Sequence, residues 1–275
     1  MKAELARRLW WATEPCHAAV YFAPEAREAY TAIGLKGFWM GYFASRAAPM
    51  GPVPAAVVQA TFYNFAPGMV ARAIPDAWAR AAPARVVTAR RDAVDEALRR
   101  MLGDLDVAEA GTLARTAVEG CEPAGRPLFA AHASIDWPDE PRLALWHACT
   151  LLREFRGDGH VAALLTEGFD GCEAHVSLAL TGAVPADVLR TNRGWSEDEW
   201  AAARARVEGR DWRAARARVE TRTDELALAP WRALGEGGCD RLLACMRPIV
   251  TRLVEHEAVT FPNPMDLPSP ISAPT

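Results

Sequence analysis

A chain of 275 residues with 51% hydrophobic and 24% charged residues is long enough to bury one or two cores, and that balance excludes a disordered, collagen-like or disulfide-framework protein. A net charge of −4 gives no overall attraction to nucleic acid or to an anionic membrane surface. The six cysteines (Cys16, Cys121, Cys149, Cys172, Cys239 and Cys245) are scattered, with no CxxC pair and no Cys/His cluster at zinc spacing, so neither disulfides nor a metal or other cofactor is expected.

At the N-terminus, MKAELARRLWWATEP has too short an apolar stretch, closed by Glu14, to be a secretion signal, and no run of about 18 apolar residues follows. A cytoplasmic protein with no membrane partner is expected. Ala, Leu, Arg and Glu dominate, and apolar residues recur at three and four rather than two, which predicts a mainly helical chain. Helices are predicted near 3–13, 15–22, 24–33, 36–46, 54–63, 67–81 and 84–102, with Pro15 breaking the first stretch. The segment 104–140, rich in proline and glycine, reads as a linker with a short strand at 128–135. Beyond it, helices are predicted near 141–155, 159–167, 172–181, 185–192, 196–208, 212–228 and 238–256, and the tail 257–275, with its many prolines, as an extended end.

The two helical stretches align with one another. GLKG (34–37) matches GFDG (168–171) at an offset of 134, and GPVPAAVV (51–58) matches GAVPADVL (182–189) at an offset of 131. The reading is a duplication, with one unit in residues 1–103 and the other in 141–256. In the second unit, Pro185 opens a short helix, Arg193 and Gly194 make a tight break, and Ser196 caps the next helix while Glu199 returns a bond to the cap. Val188, Leu189, Trp195, Trp200 and Val207 would lock the two helices at a steep angle, the arrangement of a helix-turn-helix.

The stretches YFAPEAREAYTAIGLKGFWMGYFASRAAPMGPV, REFRGDGHVAALL, GWSEDEWAAARARVEGR and ARVETRTDELALAPWRALG resemble the actinobacterial helix-turn-helix proteins with two tandem winged-helix-like units, over the chain to about residue 256. The second copy also resembles MarR-type winged helices. That resemblance implies a fold more than a function: the helix at 196–208 would enter the major groove, and a β-hairpin wing would follow. Where the wing belongs, RDWRAARAR (210–218) is helix-forming and holds no turn residue, so the wings are expected to be reduced or absent. Glu197, Asp198 and Glu199 occupy the first turn of the recognition helix, where phosphates and base edges would lie, and they also suit a helix N-terminus in their own right. The candidate DNA contacts Arg204, Arg206 and Arg210 sit later, beside Glu208, so DNA binding is expected to be weak.

Three sets of residues are candidate pockets. Trp10, Glu14, His17 and Tyr21 recur at helical spacing and place a titratable pair between two aromatics; the competing reading is a core with a satisfied histidine. In REFRGDGH (153–160), Gly157 and Gly159 are expected to break the helix, leaving Asp158 as a cap and Arg153, Arg156 and His160 as donors to a polar or anionic ligand; the competing reading is a cap with a surface ion pair. Phe38, Trp39, Tyr42, Phe43, Phe62, Tyr63 and Phe65 read as core, with a pocket near Tyr42 and Tyr63 left open because both hydroxyls need partners.

No GxSxG, Walker loop, HExxH or dinucleotide fingerprint occurs. Gln59 is the only glutamine, which leaves no paired-glutamine motif of the kind used by tandem winged-helix DNA glycosylases. The expectation is a small-molecule-binding protein on a tandem winged-helix scaffold, a ligand-responsive transcriptional regulator, with the ligand held between the copies. The alternatives are a metal-free enzyme using His17 or His160 as general base, and a wingless interaction module. A regulator predicts a homodimer with a basic face, an enzyme a closed polar pocket, and an interaction module an exposed apolar patch.

Overall fold

The computed structural model describes residues 3–259 and is built from α-helices, with no strand among the described residues. Helix α1 (Ala3–Phe22) runs through Pro15 without a break, contrary to expectation. Pro15 removes one backbone donor, but the helix is buried on most sides from Thr13 to Val20, and packing of this extent outweighs the cost of a single lost bond. Next come α2 (Pro24–Ala32) and α3 (Gly37–Ala47), a single 3-10 turn (Ala48–Met50), and α4 (Ala55–Phe62). The predicted helix over 67–81 is two, α5 (Pro67–Ala73) and α6 (Asp76–Arg80), because Pro75 drives the preceding Ile74 to an extended φ of −112° and ψ of 128°. Helix α7 (Pro83–Leu102) then closes the first stretch.

The segment expected to be a linker folds into α8 (Ala108–Val118) and α9 (Pro127–Ala133), so the predicted strand at 128–135 does not form. Proline at the first helical position starts α9 favourably, and Leu128, Phe129 and His132 form a buried helical stripe. Helix α10 (Pro141–Thr166) is unbroken where two helices were predicted. Gly157 and Gly159 do not interrupt it, and Gly159 serves close approach instead: a Cβ there would lie 2.7 Å from Arg126 Nη1 and 3.2 Å from Leu226 Cβ. The rest of the chain is α11 (Gly171–Ala179), α12 (Ala186–Arg193), α13 (Glu197–Glu208), α14 (Trp212–Leu226) and α15 (Ala229–Glu255), the last kinked at Gly235. The predicted extended tail lies, from residue 260 onward, outside the described residues.

The larger core draws on α1 to α10 and returns to α15, with Phe43, Leu98, Leu102, Leu145, Leu242 and Leu253 among its fully buried members. A smaller core of Leu164, Phe169, Val176, Ala203, Val207 and Val219 holds α11, α13 and α14 onto the end of α10. The long helix α10 therefore joins both cores, and the cleft described next opens along it.

Candidate functional site

Proline at the N-cap opens α12, and Gly194 closes it in the left-handed region (φ 74°, ψ 18°), which a side chain would resist. Ser196 then caps α13: Glu199 N donates to Ser196 Oγ at 3.2 Å, and Ser196 N donates back to Glu199 Oε2 at 2.9 Å. This is the predicted helix-turn-helix. Its turn is anchored to the first half of the chain, where Ala66 N donates to Arg193 O at 2.8 Å and Trp195 Nε1 donates to Asn64 O at 3.0 Å. After α13 the chain enters α14 through Gly209–Asp211, so no hairpin follows.

Glu197, Asp198 and Glu199 are exposed on the first turn of α13. Each of the three candidate DNA-contacting arginines is engaged by an acid: Arg204 with Glu208 at 3.0 Å, Arg206 with Glu173 at 2.6 Å and Asp170 at 2.8 Å, and Arg210 with Glu173 at 3.2 Å.

Behind this motif, helices α1, α10, α11 and α14, with Asn64 and Arg193, enclose a cleft of about 200 Å³. Of the residues predicted from sequence, Trp10, Glu14, Arg153, Arg156 and His160 line it together. His17 and Tyr21, two and three turns beyond Trp10 on α1, do not. His17 is fully buried and its Nδ1 lies 3.0 Å from Thr150 Oγ1, while Tyr21 packs at 4.9 Å on Tyr42 and borders a separate small cavity with Tyr30 and Phe38. Asp158 is also elsewhere: it is mid-helix, not a cap, and its carboxylate accepts from Phe129 N at 2.9 Å where α9 begins. Burial pushes the Asp158 carboxyl up to about 6. Of the pocket left open near Tyr42 and Tyr63, Tyr42 borders the same small cavity as Tyr21 from within the aromatic cluster of Phe38, Trp39, Phe43 and Phe65, whereas Tyr63 does not line it and hydrogen-bonds Phe169 O at 2.5 Å.

Sequence reasoning missed Arg7, Arg193, Arg216, Glu220 and His175. A weak signal exists for part of this set, because Arg216, Glu220 and Thr223 repeat at helical spacing along one face of α14.

The electrostatics of the cleft are dominated by guanidinium groups. Arg7 bonds Asp224 at 2.8 Å and Glu220 at 2.7 Å, and Arg156 Nη2 bonds the other oxygen of Asp224 at 2.7 Å. Arg216 pairs with Glu220, and Arg153 holds Glu154 at 2.7 Å and approaches Glu14 at 3.5 Å. Arg46 shares Glu154 from the far side through two bonds of 2.8 Å. Five arginines (Arg7, Arg153, Arg156, Arg193 and Arg216) and two carboxylates (Glu14 and Glu220) line the cleft, with Glu154 and Asp224 pairing to its arginines from behind, which leaves a net positive site. Arg156 is 8% exposed, and its Nη1 is buried without a hydrogen-bond partner.

Burial alone would raise Glu220, but Arg216, His160 and Arg7 outweigh it and hold the carboxyl down to about 2. The same burial, helped by Arg216 and Arg156, pushes His160 down to about 3. Thr223 Oγ1 donates to Val219 O at 2.7 Å, so it accepts from His160 Nδ1–H at 2.9 Å and leaves Nε2 of that ring as a neutral acceptor. His175 is held well below the ordinary histidine range by burial and by Arg193, whose Nε donates to its Nε2 at 3.1 Å. His17 is held down similarly, by burial first and then by Arg153.

Among the described residues there is no group of three His, Cys, Asp or Glu side chains placed to hold a metal ion, and no helix is long and apolar enough to cross a membrane. No curated protein and no solved structure matches the chain. A model described as a helix-turn-helix family matches residues 6–260, in keeping with the capped motif of α12 and α13, and the chain belongs to that family.

Proposed function

We propose that the protein is a ligand-responsive regulator of the helix-turn-helix class, which binds a small anionic molecule in the arginine-lined cleft. The observation that carries this reading is Arg156 Nη1, a buried charged donor without a partner in the wall of a cleft whose arginines outnumber its carboxylates. An unpaired donor of this kind carries a desolvation cost that a ligand oxygen would relieve. The cleft also touches the motif it would control: Arg193 is the last residue of α12, and Asn64 accepts the bond that anchors Trp195. A ligand bridging Arg156 and Arg193 would bias how the turn sits on the first half of the chain.

The duplication belongs to the same proposal. Pro54 and Pro185, aligned at the offset of 131, both stand at N-caps, and the turns that follow the two helices meet each other. A regulator built this way is expected to be a homodimer, since two-fold sites match two-fold proteins. Binding to duplex DNA is expected to be weak and non-specific, on the order of 10⁻⁴ to 10⁻⁶ M at physiological salt, because of the acidic first turn of α13 and the acid-paired arginines behind it. Fluorescence anisotropy with labelled duplex reads this directly, and nanomolar, sequence-selective binding would overturn it.

The ligand is tested by native mass spectrometry for a co-purified small molecule and by calorimetry with inorganic phosphate and succinate as probes. Saturable binding that weakens about tenfold in Arg193→Gln supports the cleft, in line with the loss of one charge-assisted bond. Binding of neither probe, or binding unchanged in that variant, refutes an anion site there. The enzyme reading is less well supported, because a general base works best near the operating pH and His160, at about 3, is too weak a base at neutrality.

A further inference from the structure

A second cavity, sharing no residue with the arginine cleft, lies between α3, α7, α9 and α10 and measures about 50 Å³. Its polar wall includes Arg90 of α7, which is 3% exposed. Every other fully buried arginine among the described residues is paired with an acid: Arg46 with Glu154, Arg156 with Asp224 and Arg216 with Glu220. Arg90 has no such partner. Its Nη1 donates to Ser45 O at 3.4 Å, while Nε and Nη2 have no acceptor at all.

Nε and Nη2 are the two parallel donors on one edge of a guanidinium, the fork that takes the two oxygens of one carboxylate. This protein fills the same fork repeatedly. Nε and Nη2 of Arg46 each lie 2.8 Å from an oxygen of Glu154, and those of Arg100 lie 2.5 and 3.1 Å from the oxygens of Glu25. The rings of Trp146 and Tyr21, 5.0 and 6.0 Å from the Arg90 guanidinium, attract its charge but offer no lone pair to its N–H groups. A buried cation with an open fork is costly unless an anion meets it.

We propose that this cavity binds a small carboxylate with a compact apolar body, its two oxygens seated on Nε and Nη2 of Arg90. The apolar body would lie against Val87, Ile135, Pro138 and Leu143, which line the same cavity. His147 also lines it, and its Nε2 is a further buried ring nitrogen without a partner. Burial and Arg90 push His147 and His132 down to about 4 and 3, so neither ring adds charge, and Arg90 alone supplies the buried attraction. Exposed Arg91 and Asp136 also line the cavity, and Arg91 lies 3.6 Å from Asp92. A volume of this size suits a few heavy atoms, not a peptide or nucleotide.

Calorimetry with isovalerate tests the proposal, with isovaleramide as its uncharged counterpart and chloride and phosphate as inorganic controls. The expected result is saturable binding of isovalerate and none of the amide, weakened about tenfold or more in Arg90→Lys, which keeps the charge but loses the fork. Ile135→Trp, which fills the cavity and leaves Arg90 untouched, is expected to abolish binding, and it decides the matter should Arg90→Lys fail to fold. The proposal is overturned by isovalerate binding that survives both variants, by equal binding of the amide, or by no saturable binding of isovalerate. Chloride or phosphate binding lost in Arg90→Lys, with no response to isovalerate, would also overturn it as an inorganic anion only. Phosphate binding that persists in Arg90→Lys belongs to the arginine cleft, so the two sites are judged separately.

Discussion

Helices α4 and α5 and helices α12 and α13 are both pairs in which the first helix follows an N-cap proline, yet they do opposite jobs. The first pair is apolar: α4 buries Val58 and Phe62, α5 buries Met69 and Val70, and the turn between them carries Phe65 into the aromatic cluster. The second pair is polar, and α13 buries only Ala203 and Val207 along its whole length. A turn whose own residues are core cannot present a helix to a partner. The first pair has become the seat on which the second rests, through the bonds from Ala66 to Arg193 and from Trp195 to Asn64. Sequence similarity between the two pairs therefore says little about shared function, because burial has assigned the roles.

Acid should act on the body that carries the seat and on the motif together, and with the largest effect. His132 and His147, in the larger core, are pushed down to about 3 and 4, and His160, beneath the motif, to about 3. The unfolded chain takes up protons at these rings below about pH 6.5, whereas the folded chain does not until about pH 3 to 4. Stability from this source is complete above pH 6.5 and lost as pH falls, by roughly 2 kcal/mol per ring at pH 5 and so roughly 6 kcal/mol for the three. Asp158, raised to about 6, works in the opposite sense, since the folded state protonates it first and gains stability as pH drops through that value. Urea denaturation at pH 7 and pH 5 measures the sum; equal stability at both would show the rings to be solvated. Amide exchange at the lower pH should show α7 and α14 losing protection together.

A more local break is available at the joint. Glu154 is fully buried and holds Arg46 from the first half and Arg153 from α10. Burial would raise its carboxyl, but the two guanidinium groups outweigh this and keep it well below the usual range. Glu154→Gln leaves Arg46 without its anion and Arg153 with only Glu14, 3.5 Å away, and is expected to cost about 3 to 5 kcal/mol, measured by the same denaturation at pH 7. A loss below about 1 kcal/mol would mean that water reaches the pair.

Sequence reasoning reached the second pair well and the surroundings of α10 only in part, for a physical reason. Pro185, Gly194, Ser196 and Glu199 act through their own backbone neighbours, so their meaning is readable locally. Trp10, Glu14, Arg153, Arg156 and His160 were found because polar groups crowded within one turn or one helical face are conspicuous. Gly159 misleads because a glycine that breaks a helix and a glycine that admits a neighbour look alike in sequence, and only the approach of Arg126 and Leu226 separates them; Gly157 meets no such neighbour and is simply carried within the helix. Asp158 is misread with them, and Arg156, just past the predicted helix end at 155, is a buried helical residue. Which of the many arginines is buried, as Arg90 and Arg216 are, depends on tertiary packing that no local pattern records.

Gly171 tests the seat from its other side. A Cβ at that position would lie 2.3 Å from Tyr63 O and 3.3 Å from Tyr63 C, backbone atoms that cannot swing away. Gly171→Ala should therefore push α11 off the first half, at a cost of about 1 to 3 kcal/mol, the range for overpacking. Because the contact is between the seat and the smaller core, the same variant should raise amide exchange around Trp195. If stability and exchange both stay as in the parent, the two halves are not held at this point.

The smallest effect should fall on the motif alone. Ser196→Ala removes the oxygen that accepts from Glu199 N, while the return bond from Ser196 N to Glu199 Oε2 survives because it uses backbone. Loss of such a cap is worth about 1 kcal/mol, felt mainly in the first turn of α13. Helix α5 has no counterpart, since its N-cap, Ala66, offers no side-chain acceptor and its order comes from buried Met69 and Val70. Amide exchange should thus quicken at 197–200 and stay unchanged at 67–73, with the global melting temperature barely moved. A melting loss as large as that of Gly171→Ala would show that α13 is as integral to the folded core as α5, and the contrast between seat and motif would fail.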